Sequence, residues 1–143
     1  MTDEHDQPRT IAEKLWSQEG VGPAFGIEIL EAGVGYSKLK MKIRHDMLNG
    51  FNTAHGGIIF TLADTAFAYA CNSHNVLSVA LNASITFLSP VQPDEELVAE
   101  AREDASAGRT GVYSVVLLGG DGRRVAIFNG VSRSTGSAIL ENK

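Results

Sequence analysis

The chain has 143 residues, 43% of them hydrophobic and 20% charged, which is enough for one domain with its own core and too little for two. A net charge of −5 and a pI near 5.3 argue against nucleic acid as the main partner, which needs a concentrated positive surface, so any phosphate site must be local. No apolar run reaches the roughly 18 residues of a membrane span, MTDEHDQPRT lacks the basic and apolar regions of a signal peptide, and Cys71, the lone cysteine, allows no intrachain disulfide, so a cytoplasmic protein is expected.

Met1 to Gln7 is polar and expected to fray. Pro8 to Gln18 carries Ile11, Ala12, Leu15 and Trp16 at helical spacing, with Pro8 at the start and Gly20 and Gly22 past the end. Phe25 to Glu31 reads as a first strand closed by Gly33 and Gly35. Tyr36 to Arg44 then alternates with period two, placing Leu39, Met41 and Ile43 inward and Lys38, Lys40, Lys42 and Arg44 on the opposite face. That basic face is read first as solvated and only second as a phosphate site.

The next stretch, NGFNTAHGGIIFTLADTAFAYACN over residues 49–72, joins a polar turn directly to a long apolar helix and is the candidate active site. Asn49, Gly50, Asn52 and Thr53 are turn formers, and His55-Gly56-Gly57 brings the main chain close to a ligand with no Cβ in the way. Beyond them Ile59, Leu62, Ala63, Ala66 and Ala70 recur at three- and four-residue steps, predicting one continuous buried face. The start of such a helix offers unpaired N–H groups and the positive end of its dipole, so Gly56 and Gly57 can hold an anion or polarise a carbonyl. Asp64 is a carboxylate inside an apolar run, which must reach solvent, find partners or serve chemistry. With an ordinary pKa it is ionised at neutral pH. Eight residues of helix separate it from Gly56, a rise of about 12 Å and a rotation of roughly 80°. One carbonyl cannot meet both in a single chain, so a shared site requires a second subunit.

Downstream, Leu77 to Leu88 alternates strictly, with Leu77, Val79, Leu81, Ala83, Ile85 and Phe87 on one side, and is expected to be a central strand. Ser89-Pro90 and Gln92-Pro93 break it, Glu95 to Asp104 follows as a strand, and Gly108 to Gly111 turns the chain. Val112 to Leu118 and Arg123 to Arg133 form a hairpin across Gly119-Gly120-Asp121-Gly122, and the tail from Gly136 is expected to be loose. One long helix, a short N-terminal helix and about six strands without βαβ alternation give an α+β fold with an antiparallel sheet.

The run over residues 48–75 resembles the signature of the hotdog-fold acyl-CoA thioesterases, and within them the phenylacetic acid degradation (PaaI) type, and the resemblance extends from about Gly22 to Ser134. It implies a long helix wrapped by the sheet, dimers joined edge to edge and paired into tetramers, hydrolysis of aryl-acetyl-CoA thioesters, and no cofactor. Asp64 matches the family's nucleophile or base, Gly56 the residue whose N–H meets the thioester oxygen, and Asn49 and His55 its polar helpers.

Gly57 and Thr65 are candidate substrate-binding positions, Ser84 is a pocket liner on the same footing as Thr65, and Ile59, Phe60 and Phe67 are apolar pocket walls or plain core. His55 either polarises the thioester or bonds the backbone ahead of the helix. Arg109, Arg123 and Arg124 are the weaker candidates for CoA phosphates. His45 and His74 lack the spacing of a metal site, so no metal is expected, and Cys71 reads as a small core residue. Two other readings stand beside the hydrolase: a hotdog hydratase or dehydratase, which needs an acid and a base across a carbon–carbon bond, and a non-catalytic acyl-CoA-binding module.

Overall fold

Ten elements follow one another along residues 6–141, the part of the chain that this computed structural model describes. They are α1 (Gln7–Gln18), α2 (Val21–Phe25), β1 (Glu28–Gly33), β2 (Tyr36–Lys42), a 3-10 turn (His45–Met47), α3 (Gly56–Cys71), β3 (Ser78–Phe87), β4 (Glu96–Ala107), β5 (Thr110–Leu118) and β6 (Arg124–Ser134). The frayed arm expected at the N-terminus lies outside the described residues except for Asp6 and Gln7, which open α1. The six strands form one antiparallel sheet in the order β1-β2-β4-β5-β6-β3.

The first strand begins later than the sequence suggested, because Val21–Phe25 coils into a short helix that ends at Gly26 in the left-handed region, φ 66°. The Trp16 indole sets this corner. Its Nε1 donates to Ile27 O at 2.9 Å, and its ring lies so close to Gly22 that no Cβ fits there.

α3 lies on one face of the sheet. Ile59, Leu62, Ala63, Ala66 and Ala70 are all buried, as their spacing predicted, against Leu39 and Met41 of β2, Leu97, Ala99 and Ala101 of β4, and Val115 and Leu117 of β5. The alanines let the helix approach the sheet closely, and the buried Ser37 hydroxyl donates to Ala66 O at 2.6 Å. Phe67, read as a possible pocket wall, is core instead: its ring packs 5.5 Å from Tyr113 and 5.7 Å from Phe128. A Cβ on Gly130 would stand 2.9 Å from three atoms of that ring. Gly130→Ala is therefore expected to destabilise the fold by about 1–3 kcal/mol, the usual cost of overpacking, read as a lower melting temperature.

β3 departs most from its reading. It is an edge strand, paired only to β6, and a bulge between Ala80 and Asn82 interrupts its alternation. Ala80 pairs Ser132 and Asn82 pairs Val131, so Leu81 is the extra residue and the apolar set divides. Ala83 and Ile85 face the core opposite Gly130 and Phe128, whereas Val79 lies opposite Arg133 on the outer face. Ser84, opposite Asn129, points away from α3 and lines neither site cavity described below. Val79 and Leu81 stay 52% and 56% exposed, so no described residue covers that edge.

The basic stripe of β2 meets carboxylates: Lys40 reaches Glu28 and Glu96 at 3.3 and 3.8 Å, Lys42 reaches Asp94 at 4.0 Å, and Arg44 pairs with Asp46 at 3.0 Å. Arg123 is likewise occupied, donating to Glu95 Oε2 at 2.7 Å and to Asp121 at 2.8 Å. The guanidinium holds the Glu95 carboxyl down to about 2. The segment after β6 is irregular but tied to the body: Asn75 Oδ1 accepts the N–H of Ile139 and of Leu140 at 3.1 and 2.7 Å, and Lys14 Nζ donates to Ile139 O at 2.8 Å. Among the described residues no helix is long and apolar enough to cross a membrane.

Candidate active site

The turn before α3 is built around Asn49. Its Oδ1 accepts the N–H of Phe51 and Thr53 at 2.9 and 3.2 Å, its Nδ2 donates to Thr53 Oγ1 at 3.0 Å, and its own N–H donates to Thr53 O at 2.8 Å. The amide closes the loop that delivers the chain to Gly56. His55 is the N-cap of α3, extended at φ −62° and ψ 135°, and its Nδ1 accepts the Gly57 N–H at 2.9 Å. The imidazole thus takes the backbone role foreseen for it, and its Nδ1 carries no proton in this arrangement. Gly57 is therefore spent on the cap. The Gly56 N–H, one residue earlier, has no acceptor among the described residues and sits at the positive end of a 16-residue helix.

Asp64 is half-buried, and its carboxylate accepts no hydrogen bond from a described residue. Burial raises its pKa above the ordinary carboxyl value, which corrects the expectation of a normal one. Thr65 stands beside it with its hydroxyl donating to Thr61 O at 2.7 Å, and Thr61 donates in turn to Gly57 O at 2.8 Å. Cys71 is buried with its thiol pushed up to about 12, a core residue as read.

The two unpartnered groups open onto different cavities. Gly56 and Asn49 line one of about 400 Å³ with Ile59, Phe87 and Pro90. Asp64 and Thr65 line another of about 530 Å³ with Phe60, Leu15, Val21 and Leu77. The cavities share no lining residue, so Gly56 and Asp64 do not meet in one cavity of one chain. Arg109 is near neither; it lines a third, smaller hollow with His74 and Glu103.

A family model described as the Thioesterase superfamily matches residues 51–126, more than half of the chain and all of α3. The chain belongs to that superfamily. The acyl-coenzyme A thioesterase PaaI of Escherichia coli is 37% identical over 90% of this chain and 91% of its own length. The solved structure of the E. coli PaaI protein superposes with a TM-score of 0.92 at 34% identity, covering 95% of this thioesterase and 99% of that chain. A hypothetical thioesterase from Streptococcus pneumoniae, solved with coenzyme A, is 26% identical with a TM-score of 0.81, over 87% of this chain and 98% of its own. The thioesterase is a hotdog fold and a thioester hydrolase.

Sequence reasoning about the thioesterase missed Glu19 and Tyr69, which also line the Asp64 cavity, and Phe87, which stands over Gly56. No spacing rule links Glu19 to Tyr69, 50 positions apart; only the packing of α1 over α3 joins them.

The raised pKa has a stability consequence. An acid whose folded pKa exceeds its unfolded one weakens the fold when ionised, so the penalty is fully present above the folded pKa and absent below the unfolded pKa. Asp64→Asn is thus expected to raise the melting temperature at pH 7, and the gap between variant and native protein should close as the pH falls through the Asp64 pKa. Calorimetry of both proteins from pH 7 to pH 4 checks this, and an equal gap at every pH contradicts it.

Proposed function

We propose that this thioesterase hydrolyses aryl-acetyl-CoA thioesters, phenylacetyl-CoA or its ring-hydroxylated forms, to the acid and CoA, in phenylacetate degradation. The observation that carries the reading is the pair of unsatisfied groups on α3: a free N–H at Gly56 and a half-buried, unpaired carboxylate at Asp64. The Gly56 N–H and the helix end stabilise the charge that develops on the thioester oxygen. Asp64 either bonds to the carbonyl carbon, expelling the thiolate and leaving an anhydride for water to open, or takes a proton from the water that attacks. Asn49 holds the loop that aims Gly56, and His55 caps the helix behind it.

Since the two groups line separate cavities, the working site joins Gly56 of one copy to Asp64 of a second, in a two-fold dimer and, by pairing of dimers, a tetramer in the cytoplasm. The uncovered β3 edge supports this arrangement, because a second β3 set against it would continue the sheet and cover Val79 and Leu81. Coenzyme A with the S. pneumoniae protein supports the leaving group, and the phenylacetic acid degradation operon from which the solved E. coli PaaI protein comes supports the acyl class. Phe60, Leu15, Val21 and Leu77 make the Asp64 cavity apolar enough for a ring.

The test is kcat/KM for phenylacetyl-, hydroxyphenylacetyl-, hexanoyl- and palmitoyl-CoA on one preparation. The aryl-acetyl thioesters should lead, with the hydroxylated one equal or ahead. A clear preference for palmitoyl-CoA refutes the pocket, and binding without cleavage of any thioester leaves the non-catalytic module.

A further inference from the structure

The wall of the Asp64 cavity holds a second carboxylate. Glu19, just past the end of α1, accepts the Tyr69 hydroxyl of α3 at Oε1, and its Oε2 has no partner among the described residues. Tyr69 is itself 2% exposed, and burial with the neighbouring carboxylate raises its pKa, so the phenol stays protonated and keeps donating. The other polar side chains of the wall serve the main chain: the Thr61, Thr65 and Ser78 hydroxyls donate to backbone carbonyls, and the Asn72 amide donates to Ala68 O at 2.8 Å and accepts the Ser78 N–H at 2.8 Å, which leaves Glu19 Oε2 and Asp64 as the charged acceptors. Asp64 and Glu19 are thus the two carboxylates on a wall that Leu15, Val21, Phe60 and Leu77 make largely apolar. Tyr69 stands five residues beyond Asp64, about 7.5 Å along the helix axis, a span of the order that separates a thioester carbonyl from the far edge of an aryl-acetyl ring.

We propose that Glu19, held by Tyr69, is a specificity-determining residue that accepts a hydrogen bond from a hydroxyl on the ring of the acyl group. The inference rests on the aryl-acetyl thioesterase reading and names the group that reads the substrate. A carboxylate on an apolar wall disfavours a plain ring, which would strip its water and return nothing, and favours a ring with a donor placed to meet it. The N-terminal segment, outside the sheet and the catalytic helix, thereby sets the preference.

The experiment compares kcat/KM for 3-hydroxyphenylacetyl-, 4-hydroxyphenylacetyl- and phenylacetyl-CoA in the native protein, in Glu19→Gln and in Glu19→Leu. The native protein should favour one hydroxylated thioester over the plain one by at least roughly tenfold. Glu19→Leu should bring that ratio to about one, the loss on the hydroxylated substrate appearing mainly in KM, as expected when a ground-state contact is removed. Glu19→Gln keeps an acceptor for Tyr69 and so preserves the fold; it should give a ratio between the two. A merely structural Glu19 would lower both substrates alike and leave the ratio untouched. A native ratio near one, or a ratio unchanged within about twofold in both variants, overturns the proposal. No cleavage of any of the three by the native protein removes the thioesterase reading and the inference with it, an outcome distinct from an unmoved ratio.

Discussion

Asp64→Asn and Asp64→Ala are expected to lower thioester turnover by several orders of magnitude while the protein stays folded. No other carboxylate on that cavity stands ready to replace it: Glu19, the second one, is engaged by Tyr69. The loss should fall on kcat, because the role proposed for the carboxylate is at the reacting carbonyl and not at the CoA moiety. In the native protein the acid limb of kcat/KM should report an apparent pKa above that of a free aspartate, following the desolvation of Asp64. Single-turnover rates and a pH profile measure both quantities. Near-native turnover in either variant removes Asp64 from the mechanism.

Deleting the Gly56 N–H should cost about 10²–10³ in kcat, the usual loss for one oxyanion donor. Proline is the clean way to delete it. Gly56 is the first residue of α3, where proline is tolerated, and His55 already has the extended backbone that a following proline requires. The added Cβ would lie 3.1 Å from Phe87 Cζ, so Gly56→Ala, which makes the same contact but keeps the N–H, separates crowding from the lost donor. Mixing then tests where the two halves of the site reside. In a dimer of one Asp64→Ala copy and one Gly56→Pro copy, one site keeps both groups and the other keeps neither. Half the dimers in an equal statistical mixture are of this kind, so about a quarter of native activity should return from two inactive parents. If each chain carried a whole site, mixing would restore nothing.

How far the sequence revealed this molecule depended on whether local chemistry or tertiary packing decided each feature. The start of α3 was legible because turn formers, a capping imidazole and two glycines act within a few residues of themselves, and its buried face was legible because every one of its predicted positions packs on the sheet. The strands of β2 and of the β5–β6 hairpin were read within two residues of their observed ends. The short α2 was hidden by Gly22 and Pro23, residues that more often mark a turn. β3 was misplaced for a different reason: an apolar alternation reports that a strand will be covered without saying by what, and a one-residue bulge leaves no compositional trace. Asp64 announced itself as a carboxylate in an apolar run, but its freedom from partners, and the separation of its cavity from that of Gly56, are properties of the packed chain.

The close seating of α3 on the sheet bears on how such a protein changes its diet. Ala63, Ala66 and Ala70 are completely enclosed, so any larger residue there would lift the helix and displace Asp64 with it. Drift in acyl preference is barred from that side. Leu15, Glu19 and Val21 line the Asp64 cavity from a segment that supplies no strand to the sheet, where exchanges can reshape the chamber while leaving α3 in place. Selectivity in this lineage is expected to diversify through its first two dozen residues, and a library restricted to those three positions is the shortest route to a new acyl specificity.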